Sequence, residues 1–386
     1  MRSRSTLSLA IAATALALSL TACGGTSETA SSSGAGATTS ASTEAATSSA
    51  GSSPVTSSGE TAGTSGSTAS QWAPPPAFAD IADQFSDFTA PEPGSGAGLK
   101  IGFINLDDSV PYHHAVGEGM KKAAEAAGAE LVSCDAEGKA QQALQCAQSF
   151  TAQGVQGYIN AQLESGAAAG ICAAGPQVPV LSQDVTQAPC STALYGVNNR
   201  FAGYLGGVAL GELLKAKTDC EYDAYVSEEA AAAGQLNTDR MGGYREGFAS
   251  VCGEIHDERT VDAFRIDNAQ TAFRDVLTAL PAAQTIVVAA VDDDAVLGTL
   301  AAADAAGRKD AVWAMGQGAD PSSWCKISSD EHYVGSVGYF PEKWGEIAIP
   351  TMIKMINGEQ VPANQFIKNE VITQANIGQY YQPTGC

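Results

Sequence analysis

Leu99–Gly128 constrains the fold of this chain more than any other stretch. Lys100–Asn105 (KIGFIN) is a short apolar run rich in Ile, with the length and composition of a buried strand. A polar loop follows, Leu106–Pro111, and from Tyr112 the spacing turns helical. Val116, Met120, Ala123, Ala124 and Ala127 recur at three- and four-residue steps until Gly128 supplies the stop. A strand, a polar loop at its carboxyl end and a returning helix form one unit of an open α/β sheet. Ligands of such sheets bind at the carboxyl ends of the strands. The loop Asn105–Tyr112 is therefore the first candidate site.

The unit repeats. Strand-like runs at Glu130–Ser133, Val155–Asn160, Val178–Gln183, Leu194–Val197, Asp223–Val226, Thr260–Phe264, Thr285–Ala290, Ala311–Met315 and Val334–Tyr339 alternate with helical patterns. That is about twice what one doubly wound sheet needs, and it predicts two α/β lobes in series. Upstream, Gly24–Ser70 is almost entirely Ser, Thr, Ala and Gly and cannot bury a core. It reads as a flexible tether with a root-mean-square reach of roughly 35–40 Å. Trp72–Pro93 sets aromatics among prolines and acids, the composition of a short arm packed on the folded body.

With 20 basic and 42 acidic residues the net charge is −22, so no basic patch exists to neutralise phosphates and nucleic acid is excluded as a partner. Residues 1–22 read as an export signal: Arg2 and Arg4, the apolar Leu7–Leu20, then Leu20-Thr21-Ala22-Cys23. The apolar run is too short to span a membrane. The quartet resembles a bacterial lipobox, which implies that Cys23 is lipidated and that acyl chains hold the exported protein to the outer face of the cytoplasmic membrane. The other eight cysteines, an even number in an exported chain, read as disulfides, with 105 possible connectivities. No CxxC pair argues for zinc, and His113-His114 diverge as neighbours on a helix, so no metal is expected. Phosphate-loop, dinucleotide, nucleophile-elbow and HExxH signatures are absent; no cofactor and no catalytic activity are expected.

Several motifs occur in a telling order: Pro111-Tyr112 after the opening strand, VQGYIN at Val155–Asn160 and VPVLSQD at Val178–Asp184. Then come Arg240 with Gly243-Tyr244, DDDAVLG at Asp292–Gly298, Gly316-Gln317-Gly318, and YFPEKWG at Tyr339–Gly345. Together they resemble the periplasmic sugar-binding proteins of the ribose-binding type, the solute receptors of ABC importers. The resemblance covers roughly Leu99–Val371. It implies a type I fold of two doubly wound, Rossmann-like parallel-sheet lobes joined by a three-strand hinge. The lobes would be residues 98–200 with 340–366 and residues 201–339 with 367–386, after a linker over 23–97. It implies the pairs Cys134–Cys146, Cys172–Cys190, Cys220–Cys252 and Cys325–Cys386, each inside one lobe, leaving closure free. A monomer that hands a sugar or polyol to a membrane permease is the implied function.

A sugar needs carboxylates and amides for its hydroxyls, an Arg as multiple donor and aromatics for its apolar face. The resemblance assigns Asp184, Asn160, Arg240 and Asp292 to ligand, with Gln317 and Tyr339 at further binding positions. Tyr112 and His113 take the places of the stacking aromatics, and Asn105, Asp107 and Asp108 are possible hydroxyl partners in the same loop. Val185 stands where an Arg is usual and Ala161 where a Pro is usual. Other roles compete for some residues. Asp184 and Asn160 also suit turns, Asp294 and Asn237 suit helix caps, Arg245 rivals Arg240, and Trp344 suits a helix core. Asp292–Asp294 lacks the alternating oxygen spacing of a calcium loop. A sensory receptor of the same fold and an exported glycoside hydrolase using Asp184 and Asp292 are the competing functions.

Overall fold

The computed structural model describes residues 72–384 and 386. The export segment, Cys23 and the Ser/Thr-rich stretch lie outside the described residues.

The opening unit forms as its periodicity dictates. Strand β2 (Lys100–Asn105) is buried from Ile101 onward. Helix α1 (Pro111–Ala127) starts on Pro111, where a missing N–H costs nothing, and ends at Gly128 in the left-handed region, φ 74°. The short strand β1 (Phe85–Ser86) precedes it. The first lobe continues through β3 (Glu130–Asp135), α2 (Ala140–Gln153), β4 (Gly157–Asn160), α3 (Ala168–Ala174), β5 (Val180–Gln183) and β6 (Ser191–Gly196). The chain then crosses into the second lobe. This contains α4 (Asn199–Thr218), β7 (Ala224–Glu229), α5 (Gln235–Cys252), β8 (Glu258–Asp262), α6 (Ile266–Ala279), β9 (Ile286–Ala290), α7 (Asp293–Ala305), β10 (Val312–Gly318), α8 (Trp324–Ser329) and β11 (Tyr333–Gly338). Helix α9 (Gly345–Ile356) and β12 (Asn364–Ile367) return to the first lobe; β13 (Glu370–Ile372) and α10 (Ile377–Tyr380) end in the second.

The first sheet is entirely parallel, in the order β1-β12-β6-β5-β4-β2-β3. The second runs β13-β11-β10-β9-β7-β8 and is parallel except for the β13–β11 pair. Central strands are covered on both faces: all five residues of β9 are buried. Three segments link the lobes: 197–198 after β6, 339–344 between β11 and α9, and 368–369 between β12 and β13. Four disulfides join Cys134–Cys146, Cys172–Cys190, Cys220–Cys252 and Cys325–Cys386, two within each lobe.

Helices α4 and α5 touch backbone to backbone. A Cβ on Gly203 would lie 1.9 Å from the Arg240 carbonyl oxygen, and one on Gly247 would lie 2.1 Å from that of Tyr204. This seam sets where the first turns of α5 stand, and with them Arg240. The arm expected over Trp72–Pro93 packs on the folded body through residues 72–88, so the linker implied over 23–97 does not extend through this folded stretch. The arm also adds β1 to the sheet edge, Phe85 in register with Phe366, a pairing too short to be foretold. No described helix is long and apolar enough to cross a membrane.

Candidate functional site

The carboxyl ends of both sheets face each other across a cleft of about 410 Å³, near the lower end of ordinary small-molecule sites. Its walls come from loops of both lobes and from Tyr339 in the second crossing.

Asp184 ends β5 in the left-handed conformation, φ 58°, which a short polar side chain tolerates. Its Oδ1 accepts the Val197 N–H of the first crossing at 3.0 Å, and burial pushes its carboxyl up to about 6. A Cβ on the adjacent Gly196 would fall 2.3 Å from that oxygen, so the neighbouring strand keeps a glycine. Asp107 comes from the β2–α1 loop, and Tyr112 and His113 from the first turn of α1. His113 is neutral at pH 7, because burial lowers its imidazole to about 4, and its Nδ1 has no hydrogen-bond partner.

From the second lobe, Arg240 is held by neighbours rather than by a carboxylate. Nε and Nη2 donate to Asn199 Oδ1 at 3.0 and 2.7 Å, and Nη1 donates to the Val291 carbonyl at 2.7 Å. The guanidinium carbon stands 5.3 Å from the Tyr339 ring centroid. Its rival, Arg245, is outside the cleft, paired with Glu229 and Glu258. Gln317 accepts from the Tyr339 hydroxyl through Oε1, while its Nε2 is buried without a partner of good geometry.

The acid triplet divides its roles in a way the sequence did not reveal. Asp292, not Asp294, caps α7: its Oδ1 accepts the Ala295 N–H at 2.9 Å. Burial holds its carboxyl well above the usual range. Asp292 and Asp294 both line the cleft. Asp293 turns inward and accepts from Tyr333, Ser336, Ser323 and the Asp320 N–H at 2.6–3.0 Å. Asn237 is likewise no helix cap; it bridges Glu229 and the Ala230 N–H.

Three expected ligand residues are not on the cleft wall. Asn160 is fully buried, its amide committed to Gln187 and its Oδ1 to the Gln162 N–H. Asn105 braces its own loop through Asp108, the His113 carbonyl and the Leu106 N–H. Asp108 is exposed and meets Asn105 and His114. Each side chain is engaged with local backbone or loop partners. Trp344 is fully buried core, donating to the Tyr339 carbonyl at 2.6 Å.

The sequence reading missed Gln162, Phe264, Arg265 and Asp320, which also line the cleft. All four stand in loops just past the ends of β4, β8 and β10, so the carboxyl-end rule, applied to every strand, would have found them. Gln162 is 1 % exposed and its Nε2 has no partner. What the arrangement offers chemically is donors and carboxylates converging from both lobes.

No curated protein matches the chain. Among solved structures, an ABC transporter solute-binding protein from Mycobacterium smegmatis with bound glycerol is similar at TM-score 0.64 and 24% identity, covering 74% of this chain and 96% of that one. One from Actinobacillus succinogenes with bound D-allose scores 0.63 at 20% identity, covering 73% and 100%. The Caulobacter myo-inositol binding protein with bound myo-inositol scores 0.62 at 21%, covering 75% and 98%. At these identities the likeness establishes the fold. Residues 101–360, well over half of the chain, match the periplasmic binding protein domain family, a family of non-enzymatic, extracytoplasmic solute-binding proteins, and the chain belongs to it.

Proposed function

We propose that the protein is the substrate-binding lipoprotein of an ABC importer, taking a monosaccharide or polyol between its lobes by hinge closure. The observation that carries this reading is the cleft itself. Unpartnered donors on Gln162 and Gln317, the oriented Arg240 and the carboxylates of Asp184 and Asp292 form a two-sided set suited to a ring of hydroxyls. Bound glycerol, D-allose and myo-inositol in proteins of the same fold support it. The working lobes are residues 98–200 with 340–366 and 201–339 with 367–386. Disulfides confined within each lobe leave closure free, and ligand shifts the population toward the state that contacts it from both walls. Cys23 carries the acyl anchor, Gly24–Ser70 is the tether, and a monomer docks on its permease.

Thermal unfolding of the full chain against monosaccharides, polyols, nucleosides and amino acids tests this. A ligand at a hundred times its dissociation constant adds about 2.7 kcal/mol, a shift of several degrees. A sugar or polyol that gives the shift supports the reading. A flat response to all of them, with a hit in another class, overturns the ligand class and keeps the fold. Loss of membrane retention in Cys23→Ala tests the anchor.

A further inference from the structure

Charge in the cleft is unbalanced. Asp107, Glu164, Asp184, Asp292, Asp294 and Asp320 line it against only Arg240 and Arg265, an excess of four negative charges with every group ionised. No Lys reaches it, and His113 is neutral. Among the described residues none of the six carboxylates forms an ion pair. Arg240 draws Asp184 and Asp292 down, but it pairs with neither, and three of its five N–H groups are taken by Asn199 and a backbone carbonyl. Acids alone do not specify a ligand. The same walls, however, hold the buried, unpartnered amide nitrogens of Gln162 and Gln317. These donors want acceptor oxygens, while the carboxylates want a cation.

Resting on the sugar or polyol reading, we propose that the ligand is a cationic polyol, an amino sugar or aminocyclitol. Its hydroxyls meet Gln162, Gln317 and Arg240, and its ammonium group sits among Asp292, Asp294 and Asp320. A cationic group such as an ammonium relieves the repulsion these acids exert on one another; a uronate or sugar phosphate increases it. Burial has already raised the carboxyls of Asp184 and Asp292. A cation bound beside Asp292 favours its ionised form, so a proton held there is released on binding.

Calorimetry on the full chain tests this with D-glucosamine, D-galactosamine and an amino-inositol, each beside its hydroxyl parent and its N-acetyl derivative. The expected result is at least one amine that binds about tenfold or more tightly than both neutral counterparts. Its affinity falls with added salt, and its heat varies with the ionisation heat of the buffer. The double variant Asp294→Asn, Asp320→Asn narrows the amine-to-parent ratio. Neutral parents that bind as tightly as their amines in every pair overturn the charge assignment and leave the sugar-receptor reading standing. A panel in which neither amines nor neutral sugars and polyols bind overturns both.

A separate observation concerns the arm. Residues 72–88 touch both lobes and the crossings between them. Trp72, Phe78 and Phe85 pack on Phe201, and Phe78 also on Tyr204, at the start of α4 in the second lobe. Phe85 meets Phe366 of β12 in the first lobe. Phe88 packs on Phe340, and Asp87 pairs with Lys368 at 2.6 Å, so the second and third crossings are engaged too. We infer that the arm is a strap limiting hinge motion. Fluorophores placed on the exposed positions 137 and 254, one in each lobe, read the lobe-to-lobe distance distribution. It broadens in Phe78→Ala, Phe85→Ala and, to a smaller extent, in Asp87→Ala, Phe88→Ala, which removes only the contacts to the crossings. An unchanged width in both folded variants refutes the strap.

Discussion

Replacing Gly203 by Ala adds one methyl to the α4–α5 seam, and its consequence follows from distances. The new Cβ would stand 1.9 Å from the Arg240 carbonyl oxygen, 2.9 Å from its carbon and 2.9 Å from the Tyr244 nitrogen. Backbone does not yield as a flexible side chain does, so the helices must part by about 1 Å. Overpacking of this kind costs typically about 1–3 kcal/mol, against which Ala in a helix regains up to ~1 kcal/mol over Gly. A net loss of about 1–2 kcal/mol is expected. Moving the start of α5 also moves Arg240 away from Asn199 and Val291, so ligand affinity falls about tenfold or more. Gly242→Ala is the internal control: it lies on α5, two residues from Arg240, with nothing within 4 Å of its Cβ, and should be neutral or stabilising by up to ~1 kcal/mol. Urea unfolding gives stability and calorimetry gives affinity. If Gly203→Ala matches Gly242→Ala in both, the seam does not position the site.

Asp184→Ala should abolish ligand binding while the protein still folds by circular dichroism; an affinity within about threefold, under roughly 1 kcal/mol, would show that Asp184 does not contact ligand. The folded Asp184 carboxyl at about 6 lies above its ordinary 3.8, so between those pH values the native state holds a proton that the unfolded chain has lost. Its contribution is therefore present below pH 4 and is lost as pH rises through about 6; Asp184→Asn should flatten that fall in the urea midpoint. Cys220→Ser with Cys252→Ser opens a loop of sequence separation 32 and should cost roughly 3–4 kcal/mol on the chain-entropy account, measured by urea unfolding of oxidised proteins. Asp292→Ala removes the α7 cap, worth ~1 kcal/mol, but also a carboxylate that burial disfavours; stability should move little while affinity drops, as calorimetry would reveal.

The alternation of strand and helix from Leu99 onward determined the architecture before any contact was known. The longer elements announce themselves through their own period, and α1 buries the residues that its spacing singled out, Val116, Met120, Ala123, Ala124 and Ala127. Elements too short for a period escaped: β1, with two residues, β13, with three, β12 and α10, with four each, and α8, with six. They exist because sheet edges and a neighbouring helix hold them. Asp184, Arg240, Asp292 and Gln317 were named through the family resemblance rather than through periodicity, and all four line the cleft.

Where those side chains turn was decided only by tertiary structure. Asp292, Asp293 and Asp294 are indistinguishable as three consecutive acids. Tyr333 and Ser336, forty and more residues away, draw Asp293 inward, and Ala295 takes one oxygen of Asp292 for a cap. Asn160 and Asp184 both end strands, yet Gln187 and Gln162 bury the first, while the hinge at Val197 holds the second at the cleft. Arg240 and Arg245 share a helix and differ in the partners that the glycine seam and β8 bring to them. Local pattern sets backbone state because it depends on neighbours in sequence. Side-chain direction at a site depends on polar partners that only the packed lobes bring within hydrogen-bond reach.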